Sequence, residues 1–126
     1  VRTEGAWEEW LRFFLRGVQE TSNQATEAAR AILELFQRDR AAIDDKLGRA
    51  TGSALRVHEL LQRRPVLNTG QAVKRLNLTR PTILSALENL QDLGMVRELT
   101  GKQRYRVYVY DRYFNLLDEG TEPLNT

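Results

Sequence analysis

The chain has 126 residues and a net charge of +2, and its 41% hydrophobic content is enough for one real core, which excludes a disordered tail. The absence of cysteine excludes disulfide stapling and thiolate metal sites and points to a reducing cytoplasm, while a single histidine, His58, argues against a histidine-based metal or nucleophile–base site. No run of about 18 apolar residues exists and no charged leader precedes an apolar core, so neither a membrane span nor a signal peptide is expected.

The chain begins at Val1 rather than methionine, which reads as a fragment of a longer protein. From there Trp7, Leu11, Phe14, Val18, Ala25, Ala28, Ile32 and Leu35 recur in steps of three and four, with Trp10, Leu15, Ala29, Phe36 and Ile43 widening the stripe. The pattern predicts an amphipathic helical segment over residues 1–48. It is either one rod of about 40 residues or two helices broken between Gly17 and Ser22. A face this wide needs cover, and Trp7, Trp10, Leu11 and Phe14 are its candidate interface.

Gly48, Arg49, Ala50, Thr51 and Gly52 mark a joint, with the linker at 49–52. Ser53 is then expected to cap a helix carrying Leu55, Leu60 and Leu61 that ends at Arg64, because Pro65 follows. His58 on this helix is expected to be a partly exposed surface residue. A short helix with Ala72, Val73 and Leu76 follows an Asn68 or Thr69 cap and stops at Asn77, which tolerates the left-handed conformation a tight turn requires. Thr79 caps the next helix, Arg80 to Leu93, with Pro81 in its first turn and Ile83, Ala86, Leu87, Leu90 and Leu93 at helical spacing. Gly94 is its stop.

Met95 to Leu99 and Tyr105 to Tyr110 alternate and are rich in β-branched and aromatic residues, which predicts a hairpin with Thr100, Gly101, Lys102 and Gln103 at its tip. Asp111 caps a final helix with Phe114 and Leu117. Gly120 and Pro123 end it, leaving a frayed tail at 119–126. The expected fold class is therefore mainly α, a long N-terminal helix or helical pair followed by a winged helix-turn-helix domain over 53–118.

Charge is unevenly spread. Residues 62–106 carry nine basic and three acidic side chains, whereas residues 1–61 carry nine and ten. A basic helix-turn-helix and hairpin suit phosphate binding.

The stretch Glu4-Gly-Ala-Trp-Glu-Glu-Trp-Leu-Arg-Phe-Phe-Leu-Arg-Gly-Val18 resembles the segment after the catalytic core in Fic-family proteins, where a Trp-x-x-Trp-Leu-x-Phe-Phe-Leu-x-Gly-Val run opens the last core helices. Arg80-Pro-Thr-Ile-Leu-Ser-Ala-Leu-Glu-Asn-Leu90 and the Tyr-rich hairpin look like the winged helix often appended to those proteins. The family transfers AMP from ATP to protein hydroxyls through a His-Pro-Phe-x-x-Gly-Asn-Gly-Arg motif. This chain lacks that motif, so the resemblance implies no catalytic residue, no cofactor and no enzyme activity in it.

Two functions follow. In the favoured one the chain is a DNA-binding, transcription-regulating module in which Thr79, Arg80, Thr82 and Ser85 face the major groove and Lys102, Arg104 and Arg106 contact phosphates. Leu84 and Glu88, expected on the same outward face as Arg80, are poor neighbours for phosphate. In the alternative the chain is an interaction module that docks on its own Fic catalytic core or forms a homodimer, with Leu84 and a Tyr108 and Tyr110 face as anchors.

Overall fold

The structure is a computed structural model that describes residues 2–101 and 106–121. It is mainly helical with a small three-stranded antiparallel sheet. Helix α1 runs Arg2–Lys46 without a break, so the single rod is the form adopted, and Gly17 and the polar stretch after it are absorbed into the helix. Oxygens Thr21 Oγ1 and Thr26 Oγ1 each donate to the carbonyl four residues back, so the polar stretch supplies its own partners.

The expected linker is folded. Gly48 takes a left-handed φ of 54°, a 3-10 turn follows at Gly48–Ala50, and α2 runs Thr51–Arg63. Helix α2 thus starts ahead of Ser53, and Thr51 Oγ1 donates back to the Ile43 carbonyl at 3.4 Å. The reversal is tight enough for α1 and α2 to pack on each other.

Strand β1 (Val66–Asn68) comes next, a three-residue element that the sequence pattern does not reveal. Helices α3 (Thr69–Leu76) and α4 (Arg80–Asp92) form the helix-turn-helix. Asn68 Oδ1 accepts from the Gln71 amide at 2.7 Å to start α3, and Asn77 ends it at φ 54°, as the turn requires. Gly94 at φ 78° follows α4. Strands β2 (Arg97–Glu98) and β3 (Val107–Val109) are shorter than expected, and α5 spans Asp111–Thr121. The sheet order is β1-β3-β2, with Leu67 and Glu98 on either side of Tyr108. Helix α5 runs through Gly120 to Thr121, so residues 119–121 of the expected frayed tail are helical and packed on α1, while Pro123 and the rest of 122–126 lie outside the described residues.

The core is shared by the second half of α1 and the winged domain. Leu35 and Ile43 of α1 are buried with Val57 and Leu61 of α2, Leu67 of β1, Ile83, Leu87 and Leu90 of α4, and Tyr108 and Tyr110. Residues 35–43 therefore belong to the same core as the helix-turn-helix. Helix α5 lies along α1 so closely that a Cβ on Gly120 would stand 3.0 Å from Ala28 Cβ.

Two expectations about polar residues are overturned. His58 is buried, because α2 is covered by α1 on one side and α4 on another, and it sits in the stripe Ala54, Val57, His58, Leu61. Tyr108 and Tyr110 are also buried and cannot anchor a partner. Instead, Tyr110 donates its hydroxyl to Asp39 Oδ2 on α1 and lies 3.1 Å from His58 Nε2, while Gln62 Nε2 lies 3.2 Å from His58 Nδ1. Phe36 and Tyr113 close the cluster, their rings 4.8 Å apart edge to face. Among the described residues no helix is long and apolar enough to cross a membrane.

Burial lowers the His58 pKa from its ordinary 6.5, with Asp39 pulling upward, Arg40 downward and Glu59 upward. The unfolded chain therefore takes up this proton at a higher pH than the folded one. The His58 contribution to stability should be intact above about pH 6.5 and decline as the pH falls below it. Urea midpoints measured from about pH 7.5 to 5, with an NMR titration of the lone imidazole, should show that decline and a midpoint below 6.5. Tyr110→Phe should cost about 1–3 kcal/mol, because Asp39 and His58 lose a partner in a buried site. An unchanged urea midpoint for this variant would refute the structural role of the hydroxyl.

Candidate nucleic-acid interface

Helix α4 is held by its apolar side. Ile83, Ala86, Leu87 and Leu90 are buried against α2 and α3, which turns Arg80, Ser85 and Glu88 outward and leaves Leu84 half-buried. Arg80, Ser85 and Glu88 thus lie outward as expected, whereas Leu84 and Thr82, expected on the same face, are half-buried.

The N-terminus of α4 is built around Thr79. Its Oγ1 accepts from the Thr82 amide at 3.4 Å and lies 2.8 Å from Thr82 Oγ1. The capping hydroxyl is therefore confirmed, and Thr82 spends its own hydroxyl on the cap. Thr82 and Ser85 also line a shallow cleft with Ala50, Ser53, Pro81, Ala86 and Asn89, between the start of α2 and α4. No acidic residue lies in the first turn of α4, so the positive end of the helix dipole is uncompensated there. Arg80 is exposed on that turn and makes no ion pair among the described residues.

The hairpin divides differently. Lys102 and Arg104 lie outside the described residues. Arg106 is half-buried and drawn inward, with Nε 3.4 Å from Glu98 Oε1 and Nη1 3.9 Å from Glu88 Oε1. A hydrogen bond with Tyr108, followed by those two carboxylates, raises its pKa further. Glu88, the acidic residue on the α4 face, thereby has a cation beside it. Arg97 grips Asp111 through two nitrogens at 2.8 and 3.2 Å, fastening β2 to the start of α5.

A second basic feature escaped the motif reading. Arg56, Arg63 and Arg75 line a groove between α2 and α3 with Glu59, Leu60 and Leu76, and Arg56 Nη2 donates to the Leu76 carbonyl at 2.6 Å. Lys74 beside it is exposed. Its signal was the excess of Lys and Arg over residues 62–106, which the hairpin alone does not account for.

Trp7, Trp10, Leu11 and Phe14 lie on the first half of α1. They are exposed, Trp7 by 62% and neighbouring Phe13 by 77%, and the rings of Trp7, Trp10 and Phe14 stack at 5.3 and 5.4 Å. Among the described residues no cluster of three metal-ligating side chains occurs. Neither a protein-family model nor a curated protein matches the chain.

The cap sets the direction in which Arg80 leaves the domain. Thr79→Ala should lower stability by about 1 kcal/mol, within the 0.5–2 kcal/mol range for such caps, whereas Thr79→Ser should be nearly silent in urea unfolding.

Proposed function

We propose that this chain is a winged helix-turn-helix DNA-binding module with a regulatory role, and that it is the C-terminal region of a Fic-family protein. The observation that carries the DNA reading is the acid-free first turn of α4, where Arg80 stands exposed and without an ion-pair partner among the described residues. A helix start of this kind attracts phosphate or a base-edge acceptor through its dipole and the guanidinium together. Engagement of Glu88 by Arg106 weakens the objection that an acidic side chain shares the face.

The Fic reading rests on the segment from Glu4 to Val18, which α1 carries as uninterrupted helix with its aromatic side chains outward. In this reading the module performs no AMP transfer. The lone histidine supports that view, since His58 is buried with a neighbour on each ring nitrogen. A second reading makes the chain an interaction module that docks on a catalytic core. The exposed aromatic residues of α1 favour it.

Salt separates the two. With Arg80, Lys102 and Arg104 on phosphates or bases and Arg106 held internally, duplex affinity should fall with log salt at a slope of about −2.7. Arg80→Ala should flatten that slope by about one unit and relax discrimination between duplexes by about 1–3 kcal/mol if Arg80 reads a guanine. Fluorescence anisotropy on short duplexes measures both. No binding at about 50 mM salt would leave the interaction reading in its place.

A further inference from the structure

Helix α2 borders two depressions in turn. Ser53, Arg56, Leu60 and Arg63 recur along it in steps of three and four, so they share one face. At its start this face closes the cleft that holds Thr82 and Ser85 of α4. Further along it forms one wall of a groove of about 310 Å³, whose other wall is Arg75 and Leu76 of α3. From Ser53 to Arg63 the strip is roughly 15 Å long.

The groove carries more positive charge than its surroundings use. Arg56, Arg63 and Arg75 line it with a single carboxylate, Glu59, and none of the four forms an ion pair among the described residues. Arg64 and Lys74 add two cations beside them in the chain. Part of this charge has a local purpose. Arg56 Nη2 donates to the Leu76 carbonyl, and Lys74 and Arg75 stand in the last turn of α3, where a cation offsets the negative end of the helix dipole. That end is worth about half a charge, so three cations around it leave a surplus. Like charges gathered without partners repel one another, and a groove concentrates their field on whatever enters it.

We propose that this groove is a phosphate-backbone site, and that nucleic acid bound at α4 continues along the α2 face into it, where Arg56, Arg63 and Arg75 contact phosphates. The proposal rests on the DNA reading of α4 and extends it to a surface that the helix-turn-helix motif does not assign. Two observations join the surfaces. The strip from Ser53 to Arg63 leads from the α4 cleft to the groove without a break in the helix. Leu76 also lies only four residues ahead of Arg80, so their Cα atoms are at most about 14 Å apart. Phosphates recur every ~3.4 Å of axis on each strand, so one stretch of backbone can serve both ends. Arg56 is held in place by the Leu76 carbonyl and keeps its remaining N–H donors for a phosphate.

Counterion release makes the groove countable. Three added contacts should steepen the slope of log affinity against log salt from the roughly −2.7 that Arg80, Lys102 and Arg104 give alone to about −5.4. Arg63→Gln with Arg75→Gln should flatten it by about 1.8 and weaken duplex binding tenfold or more at about 0.1 M salt, while discrimination between duplexes stays as it was. Both side chains are exposed, so the urea midpoint should hold. Arg63→Lys with Arg75→Lys should keep the slope, because counterion release follows charge. Arg30→Gln, which removes an exposed cation from α1, should leave the slope unchanged.

A slope near −2.7 that falls with Arg80→Ala but not with the double glutamine variant would overturn the groove and leave the α4 reading standing. Equal flattening by Arg30→Gln would reduce the effect to net charge and overturn the groove as well. Absence of all duplex binding by the unaltered chain at about 50 mM salt would remove both readings together.

Discussion

The carboxylate of Asp39 is buried on α1, and the hydroxyl of Tyr110 that it accepts from is the contact on which the arrangement of the fold turns. A carboxylate taken out of water is costly unless it is hydrogen-bonded, so α1 must sit where Tyr110 can reach it. Tyr110 follows directly on β3 and is also placed beside His58 of α2. One hydroxyl thus sets the register of the long helix against both the sheet and the first helix of the winged domain. Apolar packing by Phe36, Ile43 and Val57 supplies the bulk of the burial but is tolerant of small slides. Hydrogen bonds with fixed length are not.

With α1 anchored, the remaining elements have little freedom. Pro65 accepts from the Tyr110 amide at 2.7 Å, which joins the end of α2 to the end of β3 and draws β1 into the sheet. Helix α3 then follows β1 directly, and the left-handed Asn77 sends the chain into α4. The exposed first turn of α4 is the end product of this sequence of constraints. Its orientation is determined by the burial of Ile83 and Leu87 on the opposite side.

Much of this was legible in the sequence wherever a local rule has a strong physical cause. The α3 and α4 caps, the Asn77 turn, the Arg64 stop before Pro65 and the start of α5 at Asp111 all depend on one or two residues acting on their neighbours. What failed depends on contacts distant in the chain. Strand β1 has three residues and no period of its own, and it exists because β3 offers it a partner. His58 looked like a surface residue because histidine is polar, although Ala54, Val57 and Leu61 place it in a helical stripe. Alternation grouped Tyr108 with Tyr110 as an outward face, but Tyr110 lies past the end of β3 and Val109 between them is buried too, so a period of two does not reveal what the core covers. The joint at 49–52 was real as a change of direction, yet small residues let it coil into a 3-10 turn. At the candidate site, Arg80 and its cap were readable from position alone. The inward turn of Arg106 was not, because Glu88 and Glu98 reach it from separate elements.

The unbroken length of α1 has a mechanical consequence. Its 45 residues make a rod of roughly 68 Å, gripped at one end by the winged domain and free of it at the other. Such a rod acts as a lever arm. A tilt of about 5° where α5 and α2 hold it moves a point some 40 Å away by about 3–4 Å, more than half the ~5.4 Å pitch of a helix. Whatever grips the aromatic end is thereby coupled to the α1 seat, where Asp39 and Tyr110 meet, through stiffness rather than through contact.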